Sequence, residues 1–375
     1  MKVKSLALAV GALGVLTAAA WFFTRDTGGP AVDARLGQPL LDSATIAKTA
    51  EFFLRSGGAE VTLTGVDPAG FKAGTVKEYH GMTADYAKFA RAIEDLTKSE
   101  AKISRLVGTT AERIEKLGFA GDRIELRGQD GTALWTLHLG SSPEKGGRFV
   151  KFGDESKAYL SGFNGWLDGT PKNWADAALI GAKSEDVVGI EVRLPAGGTL
   201  TATRVDGKGV WKCQDLADGE TLKDSEWTSL AGKLAGLRFM DTRDPEPLET
   251  IAARPTARSY AITLADGRTF TITASQRQDP QPEPPAPAVE GATPPAPQPQ
   301  PADIFVVSSR AEDPVNALMA RRSFQVAEWT FTSLPTTREA LINPAPAPAP
   351  AATPVPDAAA AEAAPAADVP AAPAP

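Results

Sequence analysis

The residues best suited to bind a metal or attack a substrate are scarce in this chain of 375 residues: two histidines, His80 and His138, and one cysteine, Cys213. A zinc site needs three or four ligands, and these three lie far apart with no recognisable spacing. His138 falls within the apolar alternation of Trp135, Leu137 and Leu139, the setting of an ordinary strand residue, and His80 sits in the loop sequence Tyr79-His80-Gly81. Cys213 ends the alternating segment Val210-Trp211-Lys212-Cys213 and is expected as a small buried hydrophobe. The serines in Ser56-Gly57-Gly58, Ser141-Ser142-Pro143 and Ser161-Gly162 lack the strand, nucleophile and helix order of a nucleophile elbow. Lys145-Gly146-Gly147 lacks the spacing of a phosphate loop. Glycan hydrolysis would need only two well-separated carboxylates, and Glu94-Asp95, Asp154-Glu155 and Glu185-Asp186 are the pairs on offer, none singled out by a motif. No catalytic residue, cofactor or metal is therefore expected.

Aromatic side chains are the stronger candidates for recognition. Phe163, Trp166 and Trp174 fall close together in a stretch rich in Gly, Asn and Asp between Leu160 and Leu179. Presented on a loop, such rings anchor a partner protein or stack on a sugar. The competing reading has them pinning an irregular segment onto a sheet at a junction between two units.

The elements that must position these residues show a repeat. Tyr86, Phe89, Ile93 and Leu96 mark one face of a helix, and Trp227, Leu230, Leu234 and Leu237 repeat the spacing. Thr83 and Asp224 stand three residues ahead of each set, as N-caps would. Before each helix come two alternating segments around a polar turn, at Asp67 to Gly70 and at Asp206 to Gly209. After each comes a hairpin signal, Asp130-Gly131 and Asp266-Gly267, flanked by alternating apolar residues. Further strands are expected at Arg148 to Phe152, Lys157 to Leu160 and Ile304 to Val307. The expected class is α+β: two duplicated units, residues 40–182 and 183–343, each an antiparallel β-meander with an amphipathic helix on one face.

The ends and one insertion differ in composition. Lys2 and Lys4 precede an apolar run from Leu6 to Phe23, and about 18 residues at 1.5 Å each reach roughly 27 Å, near the lower limit for a membrane span. An N-terminal transmembrane helix within residues 1–26 is expected, touching the lipid bilayer through residues 6–23, with the body of the chain extracytoplasmic at the inner membrane. A cleaved signal peptide ending near Ala18-Ala19-Ala20 is the competing reading. Residues 278–301 form a Pro-rich insertion between two strands, and residues 344–375 a Pro/Ala-rich tail expected to be disordered. The formal net charge of -7 with interspersed signs argues against a nucleic-acid partner.

In the order of its pieces the chain resembles the bacterial proteins grouped as domain of unknown function 4340. The resemblance runs over residues 45–335. It is carried by the hairpin Val61 to Lys72 and the helix Ala84 to Leu96, then by Glu112 to Leu117 with Gly118 and Phe119. It continues through the stretch Ile124 to Gly140, the segments Phe149 to Phe152 and Ala158 to Leu160, and Trp174-Ala175-Asp176. The Pro-rich insertion and the stretch from Arg243 to Ala257 depart from the family pattern. The resemblance supplies no catalytic residues. It implies an extracytoplasmic auxiliary of ABC-type exporters or gliding-motility components. The expected function is thus a non-catalytic envelope accessory protein whose partners are envelope membrane proteins, ABC-type transporter subunits among them. An envelope glycan-binding protein or hydrolase is the alternative.

Overall fold

The computed structural model describes residues 33–165, 167–277 and 300–345. The chain divides into two compact units between Ala177 and Ala178. The first contains β1 (Glu51–Ser56), β2 (Ala59–Thr64), β3 (Thr75–Val76), β4 (Met82–Thr83), β5 (Ile103–Gly108), β6 (Arg123–Arg127), β7 (Ala133–Leu139), β8 (Arg148–Phe152) and β9 (Ala158–Ser161). They form one nine-stranded antiparallel sheet in the order β4-β3-β2-β1-β6-β7-β8-β9-β5. The second unit contains β10 (Val187–Arg193), β11 (Thr199–Thr203), β12 (Lys212–Cys213), β13 (Thr221–Leu222), β14 (Asp241–Arg243), β15 (Arg258–Leu264), β16 (Thr269–Gln276), β17 (Ala302–Ser308), β18 (Ser323–Val326) and β19 (Ile342–Asn343). Eight of these form an antiparallel sheet ordered β12-β11-β10-β15-β16-β17-β18-β14, and β13 pairs with β19.

The two orders are one plan. If β3, β2, β1, β6, β7, β8, β9 and β5 are matched to β12, β11, β10, β15, β16, β17, β18 and β14, the sheets run in the same sequence. In each, the chain leaves one edge, forms a twelve-residue helix (Tyr86–Thr97 or Asp224–Ala235), lays down a strand at the opposite edge and returns to the centre. This crossing carries the helix over the apolar face. Register keeps that face consistent: Phe52 stands opposite Leu63 and Leu126, and Leu54 opposite Val61 and Ile124, all fully buried. Phe89 of the helix meets Phe52 edge-on at 5.7 Å between ring centroids. In the second unit Trp227 is fully buried and its indole N–H donates to the Leu341 carbonyl at 3.1 Å, tying the helix to the segment that ends in β19.

The expected α+β class with an N-terminal transmembrane helix is corrected. The described residues are mostly antiparallel sheet with a few helices, and among them no helix is long and apolar enough to cross a membrane. Residues 6–23, where the span and the bilayer contact were expected, lie outside the described residues, as do residues 278–299 and 346–375. Neither sheet is a simple meander, because β5 and β14 join the far edges out of sequence order. The expected caps are corrected too. Thr83 belongs to β4, and Asp85 caps the first helix, its carboxylate accepting from the Ala87 and Lys88 amides at 2.9 and 3.3 Å. Asp224 is already helical, and its carboxylate accepts from the Trp211 backbone N–H at 2.9 Å. The hairpin turns do form at Gly131 (φ 77°) and Gly267 (φ 83°), where left-handed backbone favours glycine.

A charged clasp lies over β16, β17 and β18, on the face of the second sheet opposite the one to which Ile304 points. Asp303, 1% exposed, accepts from Arg254 at 2.7 Å and Arg277 at 2.8 Å, while Glu246 takes the other arm of both guanidiniums. Ser275 and Gln325 complete the cluster. The clasp sits where β16 and β17 pair at the base of the Pro-rich insertion, with Gln276 bonded across that base to the Gln300 carbonyl at 3.1 Å.

Two outcomes are expected. Asp85→Ala removes the cap and lowers unfolding stability by about 1 kcal/mol, whereas Thr83→Ala costs less, as denaturant titration will measure. Burial raises the Asp303 pKa, but Arg277 and Arg254 outweigh it and hold the carboxyl below its ordinary value. Its contribution is therefore complete above the unfolded carboxyl pKa of about 3.9 and is lost as pH falls through the lower folded value. Asp303→Asn leaves Glu246 as the single carboxylate pairing both guanidiniums, lowers stability at neutral pH by about 3 kcal/mol and flattens the loss of melting temperature on acidification.

Candidate functional site

The helix Tyr86–Thr97 does not cover the first sheet alone. Residues 167–174 fill in beside it, and their conformation follows from local sequence. Asp168 accepts from the Thr170 amide at 2.9 Å and from the Asn173 side-chain amide, an Asx-type turn, and Pro171 opens the single turn Pro171–Trp174. The Trp174 indole N–H donates to the Asp168 carbonyl at 2.5 Å and its ring packs against Phe52 at 5.3 Å. Backbone bonds from Asp85 to the Trp174 carbonyl and from Asp176 to the Thr83 carbonyl, both 2.8 Å, stitch the segment to the start of the helix. Gly169 is required by closeness: a Cβ there would lie 2.4 Å from the Ala59 carbonyl oxygen.

Between these two covers lies a largely apolar groove of about 320 Å³. Lys88, Arg91, Ala92 and Asp95 of the helix form one wall, and Leu167, Asp168, Asn173 and Trp174 the other. The polar groups are mostly committed. Lys88 Nζ donates to the Asn173 carbonyl, and Asp95 pairs with Lys98 at 2.8 Å. Burial raises the Asp168 pKa, but the hydrogen bonds from Asn173 and Thr170 prevail and keep it below the usual carboxylate value. Arg91 is exposed, and its side chain has no hydrogen bond or ion pair among the described residues.

Of the three aromatics expected to be presented on a loop, Trp174 is 5% exposed and walls this groove. Phe163 is completely buried, its backbone N–H bonded to Ser161 Oγ at 3.0 Å, so its ring is not available to a partner in this conformation. Trp166 lies outside the described residues. Large apolar residues that are exposed include Phe71 and Trp329, each at 74%. The sequence singled out none of Lys88, Arg91, Asp168 and Asn173, and Asp95 only as one of an adjacent carboxylate pair. Their signals were present: 88, 91, 92 and 95 form a stripe beside the apolar face of the helix, and Asp168-Gly169-Thr170-Pro171 is a turn signature.

His138 is a half-buried residue of β7, its pKa lowered by burial and by Lys151 and Arg123. His80 is exposed at φ 56°. Cys213 is half-buried in the edge strand β12 rather than fully buried, because β12 has only one neighbour. Asp186 accepts from the Lys183 amide and Glu155 from Arg35. The buried carboxylates of the clasp are likewise occupied by guanidiniums. Among the described residues no group of three or more His, Cys, Asp or Glu is placed to hold a metal ion.

No curated protein and no solved structure matches the chain. A family model does match, over residues 75–255, from β3 past the short helix Leu248–Ala252, so the match crosses the division between the two units. Over these residues, a little under half of the chain, it matches the family described as Domain of unknown function (DUF4340).

Proposed function

We propose that this protein is a non-catalytic envelope accessory protein that binds a partner protein through the groove between the helix Tyr86–Thr97 and residues 167–174. The observation that carries this reading is a preformed concavity of about 320 Å³ with Trp174 in its wall, held open by the fold's own hydrogen bonds. A ready-made site of this kind is suited to binding because little has to be ordered when it is filled. Its carboxylates, Asp95 and Asp168, stand on opposite walls, and each is engaged with a neighbour on its own wall. That favours recognition over acid–base chemistry.

The extracytoplasmic setting rests on the order of Lys2, Lys4 and the apolar run that follows, which has the character of a targeting segment. The partner class, envelope membrane proteins such as subunits of an ABC-type exporter or a gliding-related assembly, rests on the family resemblance.

The test is site-specific photo-crosslinking of the full chain in its native cells. A photoreactive residue at Lys88 or Arg91 is expected to yield a discrete protein adduct, and one at Lys151, on the opposite face of the first sheet, none. Equal capture from Lys151, or no adduct from either groove position, contradicts the proposal. An adduct to wall polymer in place of a protein turns the assignment to glycan binding.

A further inference from the structure

Resting on that groove as the binding site, we infer that its partner is an extended protein segment carrying a large apolar side chain next to an Asp or Glu. The inference comes from an inventory of charges. Lys88 is taken by the Asn173 carbonyl, Asp95 by Lys98, and Asp168 by Asn173 and Thr170, while the Trp174 N–H is spent on the Asp168 carbonyl. The unmet valence on the groove wall is the Arg91 guanidinium, with its donors facing solvent. A planar guanidinium is satisfied best by a carboxylate, which it can grip with two parallel hydrogen bonds.

The apolar part of the groove sets the second requirement. Arg91 precedes Ala92 on the helix, and Ala92, Leu167 and Trp174 line the apolar surface. Ala92 is 4% exposed, so the helix contributes no bulk at the point where it faces the groove. A side chain entering there leaves its own neighbour in the partner chain beside Arg91. Recognition therefore combines burial of one aromatic or branched aliphatic group with one charge pair at the rim, the pair contributing selectivity more than affinity.

The experiment pans a phage-displayed library of random peptides on the purified full chain and on three variants. These are Arg91→Gln, Arg91→Glu and Ala92→Phe, the last filling the groove. Thermal melts verify that each variant is folded. The wild type is expected to enrich peptides with Asp or Glu adjacent to Trp, Phe or Leu. A synthetic peptide from that pool should bind Arg91→Gln roughly two- to fivefold more weakly, the range of an exposed ion pair. Arg91→Glu should enrich Lys or Arg at the same place, and Ala92→Phe should abolish binding of the selected peptide.

Acid-free apolar peptides that bind wild type and Arg91→Gln alike, yet fail on folded Ala92→Phe, overturn the anionic-partner inference and leave the groove in place. Peptides indifferent to Ala92→Phe remove the groove itself as the site. Failure to enrich any peptide, while solubilised wall fragments bearing carboxylates bind in an Arg91-dependent way, overturns the choice of a protein partner.

Discussion

An antiparallel sheet with one apolar face is unstable until that face is covered, and in both units of this protein the same chain crossing supplies the cover. The helix is not an appendage docked on a finished sheet. It is the path from one edge strand to the other, from β4 to β5 and from β12 past β13 to β14. The sheet cannot be completed without the helix lying across it, and the helix has no partner for Phe89 or Trp227 until the sheet is there. Contacts such as Phe52 with Phe89 join residues on either side of the crossing and couple the two events.

The groove follows from this arrangement in the first unit. One helix is narrower than a nine-stranded sheet, so further apolar surface must be closed by another segment, and residues 167–174 do so without regular structure. Irregular backbone on a core needs its polar groups satisfied locally. The Asp168, Asn173 and Trp174 bonds meet that demand, leaving a rigid seam between two covers. In the second unit a local cluster of charge lies on β16 and β17, with Arg254 and Arg277 interleaved between Glu246 and Asp303. Such an arrangement specifies geometry strongly, because each member is paired twice and removing one leaves two partly buried charges with a single partner each.

What could be read from the sequence was what repeats over short range. The spacing of Tyr86, Phe89, Ile93 and Leu96 located the helix that runs Tyr86–Thr97, and Asp130-Gly131 and Asp266-Gly267 located two hairpins. The edge strands β5 and β14 were not anticipated, since their pairing is decided by the crossing and not by their own alternation. The caps were misassigned because several polar residues precede each helix and only backbone geometry selects among them. Phe163 was expected on a loop surface because its neighbours are Gly and Asn, residues of turns. Such residues also let a segment lie flat on a core, and that is where the ring went. The groove's polar rim was unreadable as a site because its two walls come from segments whose meeting depends on the Trp174 to Phe52 contact.

The central claim is that binding occurs where the two covers of the first sheet meet. Hydrogen–deuterium exchange of the full chain, with and without a captured partner or selected peptide, addresses it directly. The account predicts protection gained over residues 88–95 and 167–174, with β15 and β16 unchanged. Protection confined to other segments, with those two stretches unaffected by a saturating ligand, would contradict it.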